Sequence, residues 1–131
     1  MPTVVRIEHV AVWVRDLERM RAFYVERLGG ASSALYHNQR SGFRSYFISF
    51  SEGARVELMS RRDVASERPG GETVGYAHIA LSLGSRESVD FWVKSLEAAG
   101  VAIIGRPRTT GDGYYEAVIQ DPEGNRIELT T

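Results

Sequence analysis

The sequence predicts an α+β fold built from two βαβββ halves. Two motifs occur twice along the 131-residue chain: HVAV at residues 9–12 returns as HIAL at residues 78–81, and EGARVEL at residues 52–58 returns as EGNRIEL at residues 123–129. The repeated histidines are 69 residues apart and the repeated glutamates are 71 residues apart. Each half also carries one stretch of helical periodicity among stretches of strand character. The recurrence therefore indicates two equivalent modules.

In the first half, β-branched residues predict a strand over residues 4–14. Asp16 is placed to cap a helix that ends at Gly29 and Gly30. The apolar residues that recur at helical spacing predict its buried face: Leu17, Met20, Tyr24 and Leu28. Three further strands are predicted, and the turn at residues 52–53 joins the last two into a hairpin: residues 34–36, 43–50 and 54–59.

The second half repeats this order, beginning with a strand over residues 76–83. Ser85 is placed to cap a helix that Gly100 ends. The inner face of this helix is predicted from its apolar spacing: Val89, Trp92, Leu96 and Ala99. Three strands complete the module, with a turn over residues 121–124 between the last two: residues 101–105, 114–120 and 125–130.

A polar segment over residues 61–74, which contains Pro69, predicts a linker between the halves. The prediction is a single domain over residues 1–131, with module one at 4–60 and module two at 75–131. At roughly 60 residues, each half buries too little surface to be stable alone. We therefore expect the halves to need each other or a second copy of the chain.

The composition is that of an ordinary globular protein, with 43% hydrophobic and 25% charged residues. A net charge of −1 gives no reason to expect a nucleic-acid or membrane partner. The chain has no cysteine, which excludes disulfides, thiolate nucleophiles and cysteine-type zinc sites. Because the N-terminus lacks a signal pattern, a cytoplasmic location is expected.

The repeated histidines and glutamates are predicted to lie on the sheet face that does not pack against the helix. Successive side chains of a strand point to opposite faces, so His9 lies opposite Val10 and Val12, which suit packing against the helix. The same alternation applies to the other three repeated polar residues: Glu57, His78 and Glu128. Two imidazoles and two carboxylates suit Zn²⁺, Ni²⁺, Co²⁺, Mn²⁺ or Fe²⁺, among which the sequence does not choose.

The motifs at residues 7–12, 75–82 and 121–129 resemble those of the vicinal oxygen chelate superfamily. This superfamily includes glyoxalase I, extradiol dioxygenases and bleomycin-resistance proteins, and the resemblance, closest to glyoxalase I, covers essentially the whole chain. It implies paired βαβββ modules that form a curved mixed sheet around a divalent metal ion, with the helices on the outer face. It also implies a homodimer and four metal ligands: His9, Glu57, His78 and Glu128.

By this resemblance the protein is expected to be a metal-dependent lyase or isomerase, like lactoylglutathione lyase. The expected reaction moves a proton through a metal-bound enediolate of a small substrate with adjacent oxygens, such as an adduct of glutathione or another thiol. Glu128 is the expected catalytic base, and Glu57 is its counterpart. The alternatives are a metal-dependent dioxygenase or thiol transferase, or a non-catalytic protein that sequesters an antibiotic or aromatic ligand.

Five residues are candidate substrate contacts: Trp13, Arg44, Arg108, Tyr114 and Tyr115. Trp13 shares a face with His9, where it either walls a cavity or belongs to the core. The two tyrosines follow a glycine-containing turn and form either a mobile lid or an ordinary hairpin. The arginines suit either an anionic substrate or the protein surface.

Two interpretations without a functional role are also considered. Arg55 with Glu57, and Arg126 with Glu128, could form solvated ion pairs instead of leaving the carboxylates to a metal. His37 stands outside the repeat and is interpreted as a loop residue.

Overall fold

The structure is a computed structural model that describes residues 3–68 and 70–131. The chain divides into two compact units, Met1–Arg68 and Pro69–Thr131. The division falls inside the predicted linker, although Pro69 itself lies outside the described residues, as do the first two residues of the predicted domain. That the two units make a single domain stays a prediction.

Over residues 3–68, unit 1 forms a five-stranded mixed sheet with one helix. Its elements are β1 (His9–Trp13), α1 (Leu17–Ala22, continued by a π-helical turn over Phe23–Arg27), β2 (Ala31–Ser32), β3 (Tyr36–Asn38), β4 (Phe43–Ser49) and β5 (Arg55–Ser60). The strand order is β1-β5-β4-β2, and β3 also pairs with β4. The β1–β5 pairing is parallel, and the remaining pairings are antiparallel.

Local chemistry explains where α1 begins and ends. The Asp16 carboxylate accepts a hydrogen bond from the Arg19 backbone N–H, as the sequence predicted. The four predicted inner residues of the helix are all buried. Gly29 has φ of 77° and lets the chain turn, and a Cβ at Gly30 would lie 2.4 Å from a methyl group of Ile48. The glycine pair therefore both ends α1 and permits close approach to β4.

Two strand predictions in unit 1 need correction. The first strand begins at His9, not at residue 4, because pairing with β5 begins there while residues 3–8 lie exposed. The single strand predicted over residues 34–36 is instead two short strands, β2 and β3, which both pair with β4. An edge made of such short strands offers little exposed backbone for further pairing.

From residue 70 onward, unit 2 forms a four-stranded mixed sheet with one helix. Its elements are β6 (His78–Ser82), α2 (Arg86–Ala98), β7 (Ile103–Thr109), β8 (Tyr115–Gln120) and β9 (Arg126–Thr130). The strand order is β6-β9-β8-β7, with β6 and β9 parallel and the other pairs antiparallel. Ser85 caps α2 by accepting from the Ser88 N–H, as predicted.

Two details of unit 2 differ from the prediction. The buried face of α2 is Val89, Val93 and Leu96, whereas Trp92 is half-buried and Ala99 is exposed. The spacing i, i+4, i+7 describes this face better than the predicted set. Strand β7 runs on to Thr109, beyond the predicted residues 101–105, through register irregularities around Pro107, which has no backbone N–H to donate.

In each unit one face of the sheet packs on that unit's helix. Val56 and Leu58 of β5, and Ile127 and Leu129 of β9, are buried on these faces. The predicted α+β class with paired βαβββ modules is thus confirmed, with curved mixed sheets and one short strand added in unit 1. None of the helices within the described ranges has the length and apolar character that a membrane crossing requires.

Candidate metal-binding residues

His9 and Glu57 form a nitrogen–carboxylate pair on the face of the unit 1 sheet away from α1. The parallel register pairs His9 with Arg55 and Ala11 with Glu57, so the histidine and the glutamate are diagonal neighbours on one face. His9 Nε2 lies 3.6 Å from Glu57 Oε1. The histidine side chain is 38% exposed and the glutamate 13% exposed, so the pair is reachable from solvent while the carboxylate is largely covered.

His78 and Glu128 repeat this arrangement in unit 2. The register pairs His78 with Arg126 and Ala80 with Glu128, which gives the same diagonal across two parallel strands. His78 Nε2 lies 3.2 Å from Glu128 Oε2. The histidine is 40% exposed and the glutamate 20% exposed.

Each pair fits two neighbouring ligands of one divalent ion. Two donors bound at about 2.1 Å, at angles between octahedral and tetrahedral, lie about 3.0–3.4 Å apart. The two observed separations, 3.6 Å and 3.2 Å, lie close to this range. Within residues 3–68 and within residues 70–131, no group of three or more His, Asp or Glu side chains is arranged to hold a metal ion. Each unit alone therefore supplies two donors.

The alternative in which the strand arginines neutralise these glutamates is wrong. The Arg55 guanidinium pairs with Glu8, through Nε at 3.0 Å and through a terminal nitrogen. The Arg126 guanidinium pairs with Glu72. The Glu57 and Glu128 carboxylates lie instead beside the histidines.

Glu8 is a neighbour of His9 that the sequence analysis missed. Its Oε1 lies 3.3 Å from His9 Nδ1, the ring nitrogen that does not face Glu57. The hydrogen bond from Arg55 lowers the pKa of Glu8, and a smaller contribution comes from His9. Its position directly before the repeated histidine was the available signal, but two adjacent strand residues normally point to opposite faces.

Glu116 on β8 is a second residue that the sequence analysis missed. Burial raises its pKa, and the charge of Glu128 and a hydrogen bond shared with Glu128 raise it further, while Arg108 opposes the shift. Arg108 lies opposite Glu116 in the β7–β8 register. The alternation of β8 puts Glu116 on the face of Val118, which lies opposite Glu128. That alternation could have identified Glu116 from the sequence.

The structure separates the predicted substrate contacts by face. Trp13 lies on the His9 face, 41% exposed, with its ring edge-on to Phe43 at 6.2 Å. Arg44 lies on the opposite, helix-facing side and pairs with Glu18 at 3.5 Å. It therefore does not join the His9–Glu57 face, because the strand alternates.

The two predicted lid tyrosines also separate. The Tyr115 hydroxyl donates to Asp90 of α2 at 2.6 Å, so this ring lies on the helix side. Tyr114 is exposed, and its segment closes as a hairpin in which the Thr110 N–H donates to the Tyr114 carbonyl at 2.7 Å. This geometry favours the ordinary hairpin over the lid. His37, interpreted from the sequence as a loop residue, instead lies on the short strand β3, where it pairs with Arg44 and is exposed, outside both histidine–glutamate pairs.

Residues 6–129 match the family model of the glyoxalase/bleomycin resistance protein/dioxygenase superfamily. The chain belongs to this superfamily. The match spans nearly the whole sequence and both histidine–glutamate pairs, which confirms the resemblance predicted from the repeated motifs.

Individual relatives of the superfamily agree with this assignment. The chain is 30% identical to the uncharacterized protein PA2024 of Pseudomonas aeruginosa, over 95% of this chain and 86% of the relative. Among solved structures, it is similar to the trypanothione-dependent glyoxalase I of Leishmania major, with a TM-score of 0.78, 26% identity, and coverage of 98% of this chain and 87% of the other. A lactoylglutathione lyase from Agrobacterium tumefaciens shares the fold, with a TM-score of 0.70, 22% identity, and coverage of 98% and 93%.

Proposed function

We propose that the protein is a metal-dependent lyase or isomerase of the glyoxalase I type. The proposed metal ligands are His9, Glu57, His78 and Glu128, drawn from both units of one chain or from two subunits. The observation that carries the proposal is the repeated pair, in which each unit holds an imidazole Nε2 beside a carboxylate at the same strand register.

The donor set suits a divalent ion in charge as well as in geometry. Two neutral imidazoles and two carboxylates leave an M²⁺ site formally neutral, and Zn²⁺, Ni²⁺, Co²⁺, Mn²⁺ and Fe²⁺ all accept such ligands. When bound, the ion would polarise two adjacent oxygens of a substrate and so acidify the neighbouring C–H bond.

The glutamates are the groups proposed to move the proton. Glu128 takes the proton from the acidified carbon and returns it to the adjacent carbon, and Glu57 is its counterpart. Both carboxylates are mostly covered, 13% exposed at Glu57 and 20% at Glu128, which limits proton exchange with bulk water. The proposed substrate is a small molecule with two adjacent oxygens, of which a glutathione or other thiol adduct is the first candidate.

A homodimer in the cytoplasm completes the proposal. The segments before the two histidines carry apolar side chains that lie exposed in the described chain: Val5, Ile7, Val74 and Tyr76. Exposed apolar residues clustered in sequence support an interface with another protein surface. The occupant proposed for it is a second copy of the chain, and a sedimentation measurement that finds a stable metal-bound monomer would exclude the dimer.

The test is turnover of the methylglyoxal–glutathione hemithioacetal after each of the five metals is added back. We expect Glu128→Gln to retain metal while turnover falls by roughly 10²- to 10⁴-fold, the usual contribution of a positioned general base. Glu87→Gln is the matched control, because Glu87 is an exposed carboxylate on α2 of the same unit.

Full turnover by metal-loaded Glu128→Gln would contradict the role of Glu128 as the catalytic base. If the wild-type protein shows no turnover with any of the metals, the proposed glyoxalase activity is excluded and the superfamily assignment still holds. Ring cleavage of a catechol with Fe²⁺ or Mn²⁺ would then favour the dioxygenase alternative, and tight ligand binding without metal would favour sequestration.

A further inference from the structure

His9 and three neighbouring side chains form a closed ring of contacts. The Glu8 carboxylate lies 3.3 Å from His9 Nδ1 and accepts a hydrogen bond from Arg55 Nε at 3.0 Å. The Arg55 guanidinium lies 4.1 Å above the centre of the Phe47 ring. The Phe47 ring meets the His9 imidazole edge-on, with centroids 5.2 Å apart and an interplanar angle of 87°. The imidazole is thus contacted at its Nδ1 edge and at its ring.

The backbone fixes this ring of contacts to the sheet. The Arg55 N–H donates to the Glu8 carbonyl at 2.9 Å, a hydrogen bond that belongs to the His9–Arg55 pair at the start of the β1–β5 ladder. Glu8 and Arg55 are therefore joined by both main chain and side chain. The Arg55 guanidinium holds the carboxylate through two of its nitrogens, both directed at Oε1, and such charge-assisted hydrogen bonds are stronger than neutral ones.

Unit 2 has no counterpart of this ring among its corresponding residues. Strand register matches the four positions of unit 1 to Ala77, His78, Val118 and Arg126. Alanine offers no acceptor to His78 Nδ1, and valine offers no aromatic ring. Arg126 pairs with Glu72 instead.

We propose that Glu8 is a positioning residue for His9: its carboxylate, held by Arg55, accepts the Nδ1–H and so presents the Nε2 lone pair toward a divalent cation beside Glu57. This inference rests on the proposed metal-binding function and extends it to a residue outside the ligand set. A metal-binding histidine usually donates its second ring N–H to such a partner, which fixes the tautomer and the ring orientation. By the same reasoning His9 is the firmly held imidazole and His78 the more loosely held one.

The first measurement is a Co²⁺ titration of the full chain, followed by visible absorption in competition with a chelator. We expect Glu8→Ala to weaken Co²⁺ binding by roughly 10- to 100-fold, the usual effect of losing such a partner. Glu8→Gln should recover part of the loss, because the amide oxygen can still accept the Nδ1–H. Glu52→Ala removes the same charge from an exposed turn of unit 1 and should leave Co²⁺ binding unchanged.

The second measurement needs no metal. Nitrogen-15 NMR of the metal-free protein, at a pH where the imidazoles are neutral, reports which ring nitrogen carries the proton. We expect His9 to be protonated at Nδ1 in the wild type and to move toward the Nε2–H form in Glu8→Ala. If Glu8→Ala unfolds, Glu8→Leu, which removes the acceptor while keeping a side chain of similar length, carries both measurements.

The inference is overturned if Glu8→Ala binds Co²⁺ as tightly as Glu52→Ala, or if His9 keeps its wild-type tautomer in Glu8→Ala. These results would leave the proposed function standing. A wild-type protein that takes up neither Co²⁺ nor any other of the proposed metals would instead overturn the proposed function, and the positioning role with it.

Discussion

The His9–Glu57 and His78–Glu128 pairs share a strand register but differ in what lies behind the imidazole. In unit 1 the Glu8 carboxylate and the Phe47 ring contact His9, and the Arg55 guanidinium contacts both of these neighbours. In unit 2 the additional charged neighbour is Glu116, which interacts with Glu128. The repeated motifs therefore carry the donor atoms, and the residues around them make the two pairs unequal.

The largest expected effect is the loss of Co²⁺ affinity when either ligand histidine is replaced. His9→Ala and His78→Ala should each weaken Co²⁺ binding by more than about 100-fold, because loss of a ligand exceeds the loss of its supporting partner. We expect the greater loss for His9→Ala, since it removes the better-held imidazole. A Co²⁺ titration checks this, with His37→Ala, an exposed histidine of β3, as control. A greater loss for His78→Ala would reverse the comparison.

The next effect compares the cores of the two units. Leu58 and Leu129 occupy matched positions on β5 and β9 and are both fully buried. Leu58→Ala and Leu129→Ala should each lower the free energy of unfolding by about 2–5 kcal/mol, through lost apolar contact and the cavity left behind. Scanning calorimetry checks this, and Phe91→Ala, which truncates an exposed apolar side chain of α2 outside the proposed dimer segments, is the control.

The same pair of variants tests whether the units are one domain. If the units need each other, as their small size predicts, both variants lower a single unfolding transition. Two separate transitions, with Leu58→Ala shifting one and Leu129→Ala the other, would contradict the single-domain prediction.

The smallest effect concerns two tyrosine–carboxylate hydrogen bonds between sheet and helix. The Tyr46 hydroxyl donates to Glu18 Oε1 at 2.6 Å in unit 1, and the Tyr115 hydroxyl donates to Asp90 Oδ1 at 2.6 Å in unit 2. Tyr46 is buried and Tyr115 is not. Tyr46→Phe should therefore cost about 1 kcal/mol of unfolding free energy, and Tyr115→Phe less. An equal cost for both, in denaturant melts at pH 7, would contradict the comparison.

The pH dependence of the Tyr46 effect has a definite sign. The hydrogen bond to Glu18, followed by burial, raises the pKa of Tyr46 above its usual value near 10. A raised pKa in the folded state means that the stabilisation is fully present below about pH 10 and is lost as the pH rises through the folded-state pKa. The difference between wild type and Tyr46→Phe should shrink in melts above pH 10, and a difference that grows there would contradict this assignment.

The sequence predicted much of the fold because repetition and alternation are local signals. The caps at Asp16 and Ser85 and the buried faces of the two parallel strand pairs follow from spacing alone. The error at Trp92 arose because positions i+3 and i+4 both lie within about 60° of position i on a helix, on opposite sides of it, and the core takes Val93 at i+4 from Val89.

The candidate site was less completely predictable. The histidine–glutamate pairs follow from the repeats, but Glu8 depends on where β1 begins, which is set by pairing with β5. Arg44 was assigned to a substrate without regard to its strand face, which the β4–β5 register puts on the helix side. The meeting of all four ligands at one ion stays a prediction, since it depends on contacts between modules or subunits that no local pattern encodes.

The diagonal placement of each histidine and glutamate across two parallel strands has a consequence for assembly. A slip of one residue between β1 and β5, or between β6 and β9, would send one donor of the pair to the helix side. A chain with misaligned strands would then lose the proposed metal site before the rest of the fold changed detectably. Metal binding at the proposed site should therefore depend on the strand register, and only molecules with correctly paired strands would bind the ion.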